Sequence, residues 1–286
     1  MRKAVFLLSV SVLITLVFCS CSDTKNKNTN SLHKEFALYS NVVKDLFQIS
    51  VQLPVHYYDD TSTKYPVVYV LDANFHFPIL SATMKQYELD GLLPPMILVG
   101  IGYKSFEQMD SLRVRDYLYP ASIPSDEMNA VGGGRNFYDF IAKQLVPNID
   151  SGYKTEKNNR SLLGHSFGGY FSLYALLNQV ENNQTVFKNF ASASPSLWYN
   201  NFYLNQLTNK LSTRKNRDTL DIFITAGGLE DSTWNILPVK TLADNITDAN
   251  IEDVKFESKV YNNLEHMDNS TITFLRALQS FYPQEK

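Results

Sequence analysis

The chain has 286 residues, 44% hydrophobic and 19% charged, which is the balance of an ordinary globular protein. Its net charge of −3 argues against a nucleic-acid partner, because phosphate binding takes a basic face. The only cysteines are Cys19 and Cys21, so everything after them lacks disulfides and cysteine catalysis.

The first residues carry an address rather than a fold. Arg2 and Lys3 precede an apolar run over 4–18, and Cys19-Ser20-Cys21 follows. A positive start and a short apolar core describe an export signal, and the run is short for a membrane span. Cys21 after the small Ser20 resembles the lipid-modified cysteine of a bacterial lipoprotein, although Phe18 stands where leucine is usual. An ordinary secretory signal is the alternative. Residues 22–31 are Ser, Asp, Thr, Lys and Asn, which cannot bury a core. The expected organisation is a signal over 1–21, a polar tether over 22–35 and one domain over 36–286. The protein is then expected in the cell envelope, in the periplasm or on the outer membrane, touching the bilayer only through its lipid.

Between residues 36 and 53 the pattern predicts two strands, the second alternating cleanly from Phe47 to Leu53 before Pro54. Val67 to Leu71 and Met96 to Ile101 are continuous apolar runs, as expected of strands covered on both faces. A third such strand ends at Leu163, and a fourth runs from Leu220 to Ala226. Val254 to Val260 alternates like an edge strand. Helical patterns cover 137–145, 169–177, 239–249 and 271–281. Strands alternating with helices predict an α/β fold with a mostly parallel sheet and helices on both faces.

Gly164-His165-Ser166-Phe167-Gly168-Gly169 lies between a strand end and an apolar helix. Gly-x-Ser-x-Gly in that setting is the nucleophile elbow of an α/β-hydrolase, a strained turn that lifts a serine oxygen into a cleft. Serine needs a base to take its proton and an acid to orient the base. In this fold the chain order is serine, acid, histidine. Of the histidines at 33, 56, 76, 165 and 266, only His266 follows Ser166. His165 reads as a neighbour that packs beside the site, and His76 as a residue that lines the cleft or a loop. The acid belongs just after the strand ending at Ala226, which leaves Glu230 and Asp231. The oxyanion of the acyl-transfer intermediate is assigned to the backbone N–H groups of Phe167 and, by position in the loop after Leu71, Asn74.

Several segments together resemble the putative-esterase family of α/β-hydrolases, whose relatives include enterochelin (siderophore) esterases, the esterase D type and feruloyl esterases. They are the run from Tyr65 to Asp72, Arg113-Val-Arg-Asp-Tyr117, Gly132-Gly-Gly134, the elbow, Ser194-Pro-Ser-Leu-Trp198, Gly227-Gly-Leu-Glu230 and His266. Asn263-Leu264-Glu265 departs from the glycine and asparagine usual before the histidine. The resemblance favours Glu230 over Asp231, because the family's acid closes a Gly-x-x-Asp/Glu segment. It implies a serine esterase that needs no cofactor or metal, acting on siderophore esters or removing acyl or feruloyl groups from glycans. A ligand-binding lipoprotein without activity is the reading from another class. An anionic, iron-loaded siderophore calls for cations, so Arg113, Arg135 and Trp198 are assigned to substrate, with Lys104 and Arg115 as further cations. Arg113 has a second reading, in which it pairs with Asp116 or another carboxylate and holds a loop. Tyr117, Tyr119 and Tyr199 are read either as an aromatic wall beside Trp198 or as packing.

Overall fold

The computed structural model describes residues 31–284. The expected signal, Cys21 and most of the tether lie outside the described residues.

Patterns along the chain sort by position in one sheet. The strands are β1 (His33–Tyr39), β2 (Leu46–Gln52), β3 (Tyr65–Val70), β4 (Ile97–Gly102), β5 (Thr155–His165), β6 (Asn189–Ala193), β7 (Leu220–Gly227) and β8 (Val254–Tyr261). Their order across the sheet is β1-β2-β4-β3-β5-β6-β7-β8. The β1–β2 and β2–β4 pairs are antiparallel and the remaining pairs are parallel. Every residue of β4, β6 and β7 is buried, which their mostly apolar or small side chains allow. At the edges, β1 alternates exposed and half-buried residues, and β8 is divided evenly between exposed and half-buried residues.

Two expectations are corrected at this level. The tether does not extend to residue 35, because β1 already pairs His33 with Gln52 and Glu35 with Ser50. Strand β6 was not anticipated. Its sequence, Asn-Phe-Ala-Ser-Ala, has no β-branched residue, and only its central place in the sheet makes it a strand.

The helices are α1 (Ala73–Leu89), α2 (Phe106–Tyr117), α3 (Gly134–Phe140), α4 (Val146–Gly152), α5 (Phe167–Glu181), α6 (Tyr199–Phe202), α7 (Leu207–Thr213), α8 (Leu237–Ala249) and α9 (Asn269–Phe281). One wide π turn, Ile141–Leu145, joins α3 to α4. The sequence anticipated neither α1 nor α2. Pro78 interrupts the apolar rhythm of α1, and α2 is mostly polar and buries only Met109, Asp116 and Tyr117.

The sheet separates two cores. On one face α1 and α9 bury Phe77, Leu80, Phe274 and Leu278 against Val68, Val70 and Leu163. On the other, α2, α3, α5, α7 and α8 cover the larger core. Helix α5 is mostly apolar on every side because it is enclosed: every residue from Gly168 to Gln179 is buried. Beside it Phe137 packs on Phe171 (ring centroids 5.0 Å apart), Phe47 (5.2 Å) and Tyr117 (5.4 Å), tying α2, α3 and α5 to β2. The parallel strands end on one rim, where the residues after β3, β5, β6, β7 and β8 converge. Phe137→Ala removes a fully buried ring from this junction and is expected to cost about 3–5 kcal/mol of stability in urea unfolding.

Candidate active site

Ser166 sits between β5 and α5 with φ 60° and ψ −119°, a backbone conformation that a non-glycine residue rarely adopts. The surrounding chain holds it there. Its N–H donates to Ala193 O (3.0 Å), and its carbonyl accepts from the N–H groups of Tyr170 (2.9 Å) and Ser196 (3.3 Å). Gly164 is required by contact, since a Cβ there would lie 1.9 Å from Gly168 O. The serine therefore stands at the N-terminus of α5, where the first N–H groups, beginning with Phe167, have no acceptor within the helix.

His266 lies between β8 and α9, and Glu230 follows β7. His266 Nδ1–H donates to Glu230 Oε2 at 2.7 Å. That leaves the Nε2 edge free in the cleft that His266 and Ser166 both line. The Glu230 side chain is completely covered. Its Oε1 accepts from Ser194 Oγ and the Gly227 N–H (2.5 Å each), and its Oε2 also accepts from Asn235 Nδ2 (2.8 Å). Burial opposes ionisation of this carboxyl, but the donors from His266, Ser194 and Gly227 outweigh it and hold the pKa at about 2. A Cβ on Gly227 would lie 2.4 Å from Leu264 O and 2.9 Å from Glu230 Oε1, so only glycine fits beneath the acid. Asp231 has another task. It is exposed, and its carboxylate accepts from the N–H groups of Thr233 (2.8 Å) and Trp234 (2.7 Å), capping the turn Ser232–Ile236.

Behind the acid runs a buried polar chain that the sequence did not reveal as a unit. Asn269 Nδ2 donates to Ser194 Oγ (2.7 Å) and Thr225 Oγ1 (2.8 Å), and Thr225 shares a 2.6 Å hydrogen bond with Thr273. Ser194 thus accepts from Asn269 and donates to Glu230. The Ser194–Trp198 segment was visible as a motif. Asn269 gave no signal, being a polar residue at the start of an amphipathic helix.

His165 and His76 complete the surroundings. His165 Nε2–H donates to the carbonyl of His266 (2.9 Å), which fixes the loop carrying the base. Burial, reinforced by neighbouring positive charge, lowers His165 to about 3. Burial likewise lowers His76 to about 4. Both rings are therefore neutral near pH 7. They form a line with His266, with centroids 5.7 Å and 4.6 Å apart.

The cleft beside Ser166 measures about 220 Å³. One wall is a single face of α2, where Phe106, Met109, Asp110 and Arg113 follow a helical spacing. Phe75 and Met267 form the rest of its rim. That spacing was readable in the sequence, but nothing local marked the segment as helical. A larger recess of about 430 Å³ beside Tyr57, Tyr58 and Tyr153 has no histidine or carboxylate in its lining.

Other residues assigned to the site are placed differently. Arg113 reaches the cleft wall, but its guanidinium is bidentate with Asp72 (Nε–Oδ1 3.0 Å, Nη2–Oδ2 2.9 Å). It also donates to His165 O (3.2 Å) and lies 5.3 Å above the Phe167 ring. Its charge is thus spent on the protein, locking α2 to the end of β3 and to the elbow. Arg115 is spent on Asp116 and Asp45. Arg135 is not among the residues lining the cleft. It lies near Tyr174, whose ring packs on Tyr119 (5.1 Å). Lys104 opens on a separate recess, together with Asn74. Trp198 packs 6.2 Å from Phe167, flanking the elbow rather than lining the cleft. Tyr117 and Tyr199 are fully buried packing residues, and Tyr117 Oη accepts the Asp72 N–H (3.1 Å). The Asn74 side chain pairs with both backbone groups of Tyr103 (2.8 Å each). Its N–H and that of Ala73 belong to the first turn of α1, which has no acceptor within the helix.

The Glu230 carboxylate is stabilised only while ionised. Its contribution is complete above the ordinary value of 4.5 and is lost as pH falls through about 2. Glu230→Gln is therefore expected to lower stability by on the order of 2–3 kcal/mol at pH 7, with the difference shrinking by pH 3. Urea unfolding of both proteins at the two pH values checks this, and an unchanged difference contradicts it.

A family model described as putative esterase matches residues 40–271. The ferri-bacillibactin esterase BesA of Bacillus subtilis (strain 168) is 34% identical over 179 residues, 58% of this chain and 60% of the relative. The apo-salmochelin esterase of Escherichia coli O6:H1 is 30% identical over 140 residues, 46% of this chain and 42% of the relative. The chain spans less than two thirds of the length of either relative. Among solved structures, the BES protein from Bacillus cereus superposes with a TM-score of 0.77 at 23% identity, covering 97% of this chain and 99% of that one. An IroE-like serine hydrolase from Shewanella oneidensis gives 0.74 at 23% identity, covering 87% of this chain and 80% of its own. The likeness to both structures is one of fold: a mostly parallel sheet sandwiched by helices, of the α/β-hydrolase type. With a family match that runs from the end of β1 into α9, the chain belongs to the putative-esterase family.

Proposed function

We propose that the protein is a serine carboxylic-ester hydrolase that acts through an acyl-enzyme on siderophore esters of the enterochelin type. One observation carries the catalytic part of this reading. A buried, ionised Glu230 holds His266 at 2.7 Å, and His266 shares a cleft with a serine on a strained elbow. The substrate part rests on relatives whose names state siderophore ester hydrolysis.

Ser166 Oγ attacks the ester carbonyl while His266 Nε2 takes its proton. The carboxylate of Glu230 keeps Nδ1 protonated and stabilises the imidazolium that forms. The negative charge on the former carbonyl oxygen meets the N–H of Phe167 and an N–H from the first turn of α1, at Asn74 or its neighbour Ala73. Each such donor is typically worth about 3 kcal/mol in the transition state. Collapse of the intermediate expels the alcohol, which takes the proton from His266. A water molecule, deprotonated by His266, then attacks the acyl-enzyme and releases the acid and free Ser166. His165 holds the base loop throughout and, being neutral and donating from Nε2, does not compete for the proton.

The hydrogen bond from His266 to a buried, ionised Glu230, in the same cleft as Ser166, favours catalysis over simple ligand binding, because it orients and charges a base that binding alone does not need. By sequence alone, residues 1–21 are read as an export signal with Cys21 as the lipid site, which would put the domain in the cell envelope.

Ser166→Ala and His266→Ala are each expected to lower kcat on a simple aryl ester by roughly a thousandfold or more. A phosphonate directed at serine hydrolases is expected to add to Ser166 and to no other residue, read by peptide mass. Turnover by Ser166→Ala at the wild-type rate would overturn the assignment.

A further inference from the structure

An iron-loaded triscatecholate ligand and the same ligand without metal present different charges and shapes to this cleft. Three catecholates around one ferric ion make a trianion, with all three rings locked about the metal. Without metal near neutral pH, the arms are largely protonated and move independently. The cleft's own charge and size discriminate between the two.

Among the described residues that line the cleft, Arg113 is the single arginine or lysine, and Asp72 neutralises it through two hydrogen bonds. The histidines at 76 and 165 are neutral because they are buried. Asp110 adds an unpaired negative charge on the exposed α2 wall, and the ionised Glu230 lies behind His266. Every other cation considered for the substrate is elsewhere or already paired. Arg115 bonds Asp116 and Asp45, Lys104 opens on another recess, and Arg135 lies off the lining. The charged side chains lining the cleft, Asp72, Asp110 and Arg113, therefore sum to a negative charge, which lowers the local concentration of an anion and its rate of entry.

Size points the same way. At about 220 Å³ the cleft is smaller than the 300 Å³ and upward typical of sites for drug-sized ligands. It has room for about one aryl-acyl arm. Its rim supplies an apolar seat for that arm: Phe75, Phe106 and Met267 are exposed by 37%, 54% and 53%, unusual for large apolar side chains. Phe75 and Phe106 pack side by side, with ring centroids 6.4 Å apart and planes tilted by 52°, and form one apolar surface.

We propose that this site selects the metal-free, uncharged form of an aryl-armed siderophore ester, taking one arm at a time against Phe75 and Phe106, with Asp110 excluding the ferric trianion. The proposal rests on the esterase reading above. A hydrolase with this selectivity acts on ligand that has already lost its iron, or has not yet bound any. A reductive or exchange reaction that removes the metal must come before it when the ligand arrives loaded.

The test compares kcat/KM for the metal-free cyclic trilactone carrying three catechols, for its ferric complex and for neutral 4-nitrophenyl butyrate, each with wild type, Ser166→Ala and Asp110→Asn. The metal-free trilactone is expected to exceed its ferric complex by at least about tenfold in wild type. That ratio is expected to narrow in Asp110→Asn and at raised salt, which screens the repulsion. Equal or better use of the ferric complex by wild type overturns the selectivity while leaving the esterase reading intact. So does a ratio unmoved by both Asp110→Asn and salt. Cleavage of the neutral ester but of neither trilactone overturns the substrate class. Absence of Ser166-dependent cleavage of the neutral ester overturns the esterase reading itself, and the selectivity with it.

Discussion

The touch between the end of β5 and the start of α5 is the constraint on which the site depends. Gly164 and Gly168 approach so closely that no side chain fits between them, and this lets the chain reverse within one residue. Ser166 is that residue. Its unfavourable backbone conformation costs of order 1–3 kcal/mol, which the turn itself cannot recover. The compensation comes from its neighbours: β6 accepts its N–H, and its carbonyl receives two donors. The enclosed helix α5 then fixes the direction in which the serine points.

Around that turn, charge is arranged so that each ion is held by a different element. Arg113 of α2 pairs with Asp72 after β3 and also reaches the backbone of His165. Three elements are thereby clamped on one side of the serine. On the other side, Glu230 after β7 is held by Ser194 after β6, which is held in turn by Asn269 of α9. A buried charge with one donor would be costly, whereas one with a full set of donors is stable and rigid. The result is a carboxylate that stays ionised and an imidazole whose orientation is fixed. The same economy of charge leaves the cleft short of cations, which shapes what can enter it.

Much of this was legible in the chain. Continuous apolar runs identified β3, β4 and β7 because a strand covered on both faces needs apolar residues on both. The elbow was legible because its glycines answer a steric demand that is local in sequence. Chain order left His266 alone as a base. The strand ending at Ala226 reduced the acid to Glu230 or Asp231, two adjacent carboxylates. The sequence did not reveal β6, α1 or α2, whose local signals are weak: small residues in the first, an internal proline in the second and a polar surface in the third. Without α2, the face formed by Phe106, Met109, Asp110 and Arg113 could not be recognised, and Arg113 was left between contacting substrate and pairing with a carboxylate, the second of which Asp72 provides.

What the sequence determined by itself was therefore whatever is encoded between near neighbours: the alternation of strand and helix, the strained turn, and the order of serine, carboxylate and histidine. Tertiary structure decided how each charge is used. Glu230 rather than Asp231 faces His266 because one is buried among four donors and the other caps an exposed turn. Arg113 serves the scaffold because folding brings Asp72, forty-one residues away in the chain, within 3.0 Å. Electrostatic partners are chosen by distance in space and by burial, and a linear chain records neither.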